Sequence, residues 1–162
     1  MKRSKLFSIA SVFLLLAFSG FVFAPEKLQN QGQSESEDKK INWLTIEEVE
    51  KLTKEKPRKI FVDVYTDWCG WCKRMDATTF ADAAVIDYVN ENYYAVKLNA
   101  ESGDNISLKG INTTGAELAR SFRVSSYPTI VFIDETFHNV TPVPGYRKAK
   151  EFHDILKQFN EE

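Results

Sequence analysis

The feature that most restricts this chain is the run Lys59-Ile60-Phe61-Val62-Asp63-Val64-Tyr65. It is nearly continuous in apolar and β-branched residues, so a strand formed from it has no polar face to give to water. Such a strand must be covered on both sides. That predicts a central strand between layers of helices and excludes an open sheet with one wet face. Asp63 is the single charge inside the run. A carboxylate there is costly unless it is paired or used, so Asp63 is a candidate functional group, with a purely structural strand-end pairing as the alternative. Burial would raise its pKa and a nearby cation would lower it.

The flanking segments supply the helices. Thr45-Ile46-Glu47-Glu48 reads as a capping box that opens a helix running to about Glu55, stopped by Pro57. A second helix is expected near Cys69, with Asp82 capping its continuation to about Asn90. Tyr93–Asn99 and Thr129–Ile133 read as further strands, and Ser102–Thr114, with two glycines and several Asn, Thr and Ser, as a loop. Gly115–Phe122 looks helical. Asp134–Asn139 reads as a turn. Val140–Val143 is expected at a sheet edge, because Pro142 cannot donate to a central ladder. Phe152, Ile155, Leu156 and Phe159 recur at helical spacing in a closing helix over Lys148–Phe159. Alternating strands and helices, with a late hairpin, predict an α/β fold whose central sheet is mixed.

The folded part is expected to occupy residues 41–162. Ahead of it, Lys2, Arg3 and Lys5 precede an uncharged stretch from Leu6 to Ala24 that ends in Val22-Phe23-Ala24. That is the order of a secretory signal, with residues 1–24 as the leader. Pro25 after the cleavage position, and an apolar run nearly long enough to span a bilayer, leave an uncleaved anchor as the alternative. Either reading exports the domain, to the periplasm or an equivalent extracytoplasmic space. Residues 25–40 are Gln, Asn, Ser, Glu, Asp and Lys with one Leu, one Pro and one Gly, and read as a flexible polar linker. The formal charge is −2, and the acidic excess grows once the three N-terminal cations are set aside. This excludes the clustered basic surface that nucleic acid or anionic lipid demands. Two Cys and two His cannot build a multi-bridge disulfide framework, and His138 and His153 lie far along the chain from the cysteines. A monomer without bound metal is expected.

The chemistry lies in Trp68-Cys69-Gly70-Trp71-Cys72-Lys73, where the strand hands over to a helix. A thiolate at a helix N-terminus is favoured by unpaired N–H groups and the macrodipole, and Lys73 adds a cation. Cys72, one turn on, can close a disulfide with Cys69. Spacing alone leaves three alternatives open: two reduced core thiols, an inert disulfide, or a two-thiolate Cu(I) site with Met75 as the one nearby third ligand.

The surroundings of the pair carry a family resemblance. Trp68-Cys69-Gly70-x-Cys72-Lys73 after a core strand resembles the thioredoxin family. Asp63, six residues before Cys69, matches its buried carboxylate, and Lys97 in Val96-Lys97-Leu98-Asn99 the lysine that approaches it. Tyr127-Pro128-Thr129 matches its cis-proline loop, and Gly145 the glycine that ends its hairpin. Met75, Thr79-Phe80 and Asp82 also look like the periplasmic domains of transmembrane thiol:disulfide interchange proteins. The chain departs from cytosolic thioredoxins in its Gly70-Trp71 dipeptide and in a longer Ala100–Thr114 segment.

This resemblance implies a thioredoxin-like fold and an exported thiol:disulfide oxidoreductase acting as reductant or electron carrier. It needs no cofactor beyond a Cys69–Cys72 disulfide. Cys69 attacks, Cys72 resolves, and Asp63 relays a proton, with Lys97, Lys73 and Pro128 in support. Trp68, Gly70, Trp71, Tyr127 and Pro128 form the face a partner protein covers. Protein thiols and disulfides are the implied substrates, and a membrane electron donor the source of reducing equivalents. The alternatives are a copper carrier and a redox-silent scaffold. Two local expectations follow: Cys69 is exposed and Cys72 more buried, and the N–H groups of Trp71 and Cys72 both reach the Cys69 sulfur.

Overall fold

The computed structural model describes residues 39–161. The expected leader and all but the last two residues of the expected linker lie outside the described residues. The first described residues already contact the domain. Lys39 pairs with Asp87 at 2.9 Å, and the Lys40 carbonyl accepts from Asn90 Nδ2 at 2.9 Å. Among the described residues no helix is long and apolar enough to cross a membrane.

The central strand forms as its composition requires: β2 (Lys59–Tyr65) is buried at its five inner positions. It lies between β3 (Tyr93–Asn99), parallel to it, and β6 (Thr129–Ile133), antiparallel. The short β1 (Trp43–Leu44) pairs parallel to β3, and β7 (Val140–Pro144) antiparallel to β6, giving the order β1-β3-β2-β6-β7. The sheet is mixed, as expected, and β7 is at an edge.

Helices cover both faces. The Thr45 capping box opens α1 (Ile46–Glu55): the Thr45 hydroxyl accepts the Glu48 amide at 3.2 Å, and Glu48 accepts the Thr45 amide at 2.7 Å. Next come α2 (Gly70–Thr78) and α3 (Ala83–Asn92), the latter capped by Asp82, whose carboxylate accepts the Ala84 and Val85 amides. One face packs Phe61 of β2 against Phe80, Val85, Val89, Phe132 and α5 (Ala149–Glu161), which contributes Phe152 and Leu156. The other packs Ile60, Val62 and Val64 against Ile46 and Val49 of α1 and Leu118 of α4 (Gly115–Ser121).

One expectation is corrected. Ser102–Thr114 is not a loop; it holds a two-stranded hairpin, β4 (Asn105–Leu108) and β5 (Ile111–Thr114), separate from the main sheet. Ile106 and Leu108 alternate with exposed Asn105 and Ser107 and pack on the aliphatic core. Lys109 and Gly110 close the turn with φ of 52° and 77°. Two left-handed residues in a two-residue turn match the twist of the flanking strands, so Gly110 serves a defined conformation there. Carboxylates from α1 hold the hairpin: the Ser107 amide donates to Glu47 at 3.3 Å and the Lys109 amide to Glu50 at 2.9 Å.

Candidate functional site

The C-terminal end of β2 delivers the chain into α2. The Cys69 amide donates to the Thr66 carbonyl at 3.1 Å, which turns the chain out of the strand. Cys69 is then the N-cap of α2, and its sulfur accepts the Cys72 amide at 3.0 Å. Cys69 and Cys72 are joined as a disulfide with their Cα atoms 5.3 Å apart. The site therefore stands at a helix N-terminus, where N–H groups stabilise a developing thiolate.

The expected difference in cysteine burial is corrected. Cys69 and Cys72 are equally enclosed, at 4% and 3% exposure. Bonded to one another inside one helical turn, each sulfur shields the other. Exposure passes instead to the indoles of Trp68, 67% exposed, and Trp71, 57%. Of the two amides, only that of Cys72 donates to Cys69 in this oxidised state.

In the strand that leads into α2, β2 and β3 are in register so that Asp63 lies beside Lys97. Lys97 Nζ is 3.1 Å from Asp63 Oδ2 and 2.5 Å from Asp76 Oδ1. The same ammonium stands over the rings of Trp43, Tyr65 and Phe80 at 4.9, 5.1 and 5.8 Å, a cage of cation–π contacts. Asp63 is almost wholly buried, and its Oδ1 has no hydrogen-bond partner among the described residues. Burial pushes its carboxyl up to about 6; Lys97 opposes this and the Asp76 charge adds to it. Burial pulls Lys97 down, but Asp63 and Asp76 outweigh it and leave its pKa above the ordinary value. A carboxyl near 6 exchanges protons at neutral pH, which an ordinary aspartate does not.

The Tyr127–Pro128 bond is cis. Tyr127 meets Trp68 edge to face at 5.9 Å, and the Pro128 carbonyl accepts the Gly145 amide at 2.8 Å. Gly145 has φ of 94°, a left-handed conformation that suits glycine. Gly70 has no such constraint, since a Cβ there would meet nothing within 4 Å. Lys73 is exposed on α2. Met75 is fully buried in the aromatic core, and among the described residues no group of three His, Cys, Asp or Glu is placed to hold a metal.

Four residues absent from the sequence reading belong to this region. Asp76 shares Lys97 with Asp63, and its place one turn after Cys72 was a usable signal. Arg74 lies over Trp71 at 5.6 Å, three residues on along the helix. Tyr146 meets Trp71 at 5.3 Å, beside the expected hairpin glycine. Glu101 accepts the Trp68 indole N–H at 2.9 Å and carried no signal, because chain folding alone brings it there.

A mixed sheet sandwiched by helices, with a Cys-x-x-Cys disulfide at a helix N-cap and a cis-proline loop beside it, defines a thioredoxin-fold protein. Residues 46–160 match the thioredoxin-like domain family, and the chain belongs to it. A thiol:disulfide interchange protein, DsbD, of Actinobacillus pleuropneumoniae serotype 5b (strain L20) is 32% identical over 156 residues. That alignment covers 91% of this chain but only 25% of the relative, so the chain spans about a quarter of that protein's length. Among solved structures, the DsbH oxidoreductase superposes with a TM-score of 0.61 at 16% identity, covering 75% of this chain and 85% of that one. The oxidised C-terminal domain of DsbD from Neisseria meningitidis gives 0.54 at 22% identity, covering 69% and 90%. Those two likenesses are of the fold.

Proposed function

We propose that this chain is an exported thiol:disulfide oxidoreductase that works as a reductant or electron carrier on protein disulfides. The observation that carries the reading is the Cys69–Cys72 disulfide at the N-cap of α2, with the Cys72 amide already directed at the Cys69 sulfur. In the reduced protein the Cys69 thiolate attacks one sulfur of a partner disulfide, which releases the other as a thiol and leaves a mixed disulfide. Cys72 then attacks Cys69, expelling the partner's second thiol and closing the protein's own disulfide. Two electrons pass from the Cys69–Cys72 dithiol to the partner. Asp63, with a carboxyl near 6 and one free oxygen, serves as the proton acceptor that makes Cys72 nucleophilic. Lys97 holds that carboxylate in place.

The couple needs no other cofactor. Its reducing equivalents come from a membrane donor with its own cysteine pair, and the protein acts as a monomer outside the cytoplasm. The basic and apolar order of residues 2–24 supports export.

The test is trapping. Cys72→Ser should accumulate mixed disulfides with partner proteins through Cys69, while Cys69→Ser should accumulate few. Insulin reduction should vanish in both variants. Equal trapping by the two variants would overturn the assignment of attacking and resolving roles, since the two sulfurs are equally buried and only the N-cap position separates them. A reporter fused to residues 1–40 and active only after export tests localisation; its retention in the cytoplasm would defeat that part.

A further inference from the structure

The two exposed indoles beside the disulfide are held by opposite charges. Trp68 donates its indole N–H to the Glu101 carboxylate at 2.9 Å and leans on Tyr127. Trp71 lies under the Arg74 guanidinium at 5.6 Å and against Tyr146. Neither Glu101 nor Arg74 enters an ion pair among the described residues. Both side chains are exposed; Arg74 also hydrogen-bonds the Tyr146 hydroxyl, but no opposite charge neutralises either group among the described residues, so each can meet a charge brought by a partner. The redox site is therefore bracketed by two similar aromatic platforms whose electrostatic signs differ: negative beside Trp68, positive beside Trp71.

From this we propose that the docking face fixes the direction in which a partner segment binds. Its preferred occupant is a protein segment whose disulfide cysteine carries a basic side chain on one side and an acidic one on the other. The basic residue lies at Trp68 and Glu101, and the acidic residue at Trp71 and Arg74. Two neutral indoles would accept a segment in either direction. Opposite charges make one direction favourable and the reverse unfavourable, because reversal brings like charges together at both ends. The inference deepens the oxidoreductase reading and rests on it.

The experiment uses the reduced wild-type protein and three short peptides. Each has a central cysteine blocked as a mixed disulfide with neutral 2-hydroxyethanethiol. One is uncharged, one carries Lys on one side of the cysteine and Glu on the other, and one carries Glu on both sides. The reaction is the same for all: protein dithiol plus mixed disulfide gives protein disulfide, peptide thiol and 2-hydroxyethanethiol. At low ionic strength the peptide with one Lys and one Glu should react about three- to tenfold faster than either the uncharged or the doubly acidic peptide, because it alone meets a favourable charge at both ends. The gap should close in high salt, as exposed charges are screened. Arg74→Gln should remove the contribution of the peptide's Glu. Glu101→Gln, which keeps an acceptor for the Trp68 N–H, should remove that of its Lys.

Equal rates for the mixed-charge and doubly acidic peptides would overturn the directional docking while leaving the oxidoreductase reading intact. A preference for the mixed-charge peptide that persists in the Arg74→Gln, Glu101→Gln double variant would likewise overturn it. Failure to reduce any peptide, the neutral one included, would remove the oxidoreductase reading and this inference together.

Discussion

The two faces of the central sheet are built from alternate residues of the same strands, yet they differ in what they tolerate. On one face Ile60, Val62 and Val64 meet the aliphatic side chains of α1 and α4. On the other, Phe61 meets Phe80, Tyr93 and Phe152 edge-on or tilted at 5.8 to 6.3 Å. Asp63, two residues from Phe61, shares that aromatic side with Lys97. A buried ammonium placed against aliphatic side chains would lose its hydration without return. Against ring faces it finds negative π density as well as two carboxylates. The aromatic layer is thus the face that can hold a titrating carboxyl beside an ammonium, and the aliphatic layer offers no such partner.

The largest test of this contrast moves the charge across the sheet. Val62→Asp puts a carboxylate on the face with no cation and should cost about 3–5 kcal/mol in urea unfolding at neutral pH. A near-neutral result would show that the two faces do not differ. Next in size is Asp63→Asn. The carboxyl titrates near 6 in the folded protein against an ordinary 3.8, so the native state keeps its proton over a range where the unfolded chain has lost it. Stability from this group is full below about pH 4 and is lost as pH rises through about 6. The amide does not titrate. It should therefore match wild type near pH 3.5 and exceed it near pH 7.5 by on the order of 2–3 kcal/mol, while resolution of mixed disulfides slows. Equal unfolding free energies at both pH values would reduce Asp63 to an ordinary strand residue.

A smaller effect is expected from Asp76→Asn. Its charge raises the Asp63 carboxyl, and it competes for Lys97, so its removal should move the Asp63 titration downward. Carbon-detected NMR of the Asp63 carboxyl reads this directly, and an unmoved titration would uncouple the two acids. Smallest is Glu50→Gln, on the outer side of the aliphatic layer. The Lys109 amide and then Lys54 hold the Glu50 carboxyl below its usual range. Its contribution is present above the ordinary carboxylate range and fades as pH falls through the lowered value. The substitution should cost under about 1 kcal/mol and speed hydrogen exchange at the Lys109 amide. Unchanged exchange would show that Glu50 does not hold the hairpin.

Much of this arrangement could be read from residue order. The doubly buried β2, the Thr45 capping box, the edge placement of β7 and the cysteine pair each follow from chemistry within a few residues. The hairpin is hidden in the sequence because Asn, Ser, Thr and Gly are common to loops and turns, while its alternation spans only Ile106 and Leu108. Those two positions are half-buried because α1 lies beneath them. A second capping box, Thr114 with Glu117, marks where the hairpin ends and α4 starts. Its Thr-x-x-Glu spacing stands in the residue order. Trp43-Leu44 is too short to signal a strand and pairs only because β3 lies beside it. The equal burial of the cysteines, the Arg74 and Tyr146 support of Trp71 and the Glu101 hold on Trp68 depend on chain crossings that no local pattern encodes.

The edge strand β7 has one more consequence. In its antiparallel ladder with β6, Pro142 stands opposite Val131 and Pro144 opposite Thr129. Lacking N–H groups, the two prolines can sit only at positions that face away from β6. The donors missing from the rim are thus the ones an incoming chain would need. At the opposite rim β1 is two residues long, too short to template an added strand. The sheet ends in two blunt margins, which guards a concentrated population of these molecules against strand-to-strand aggregation and fibre growth.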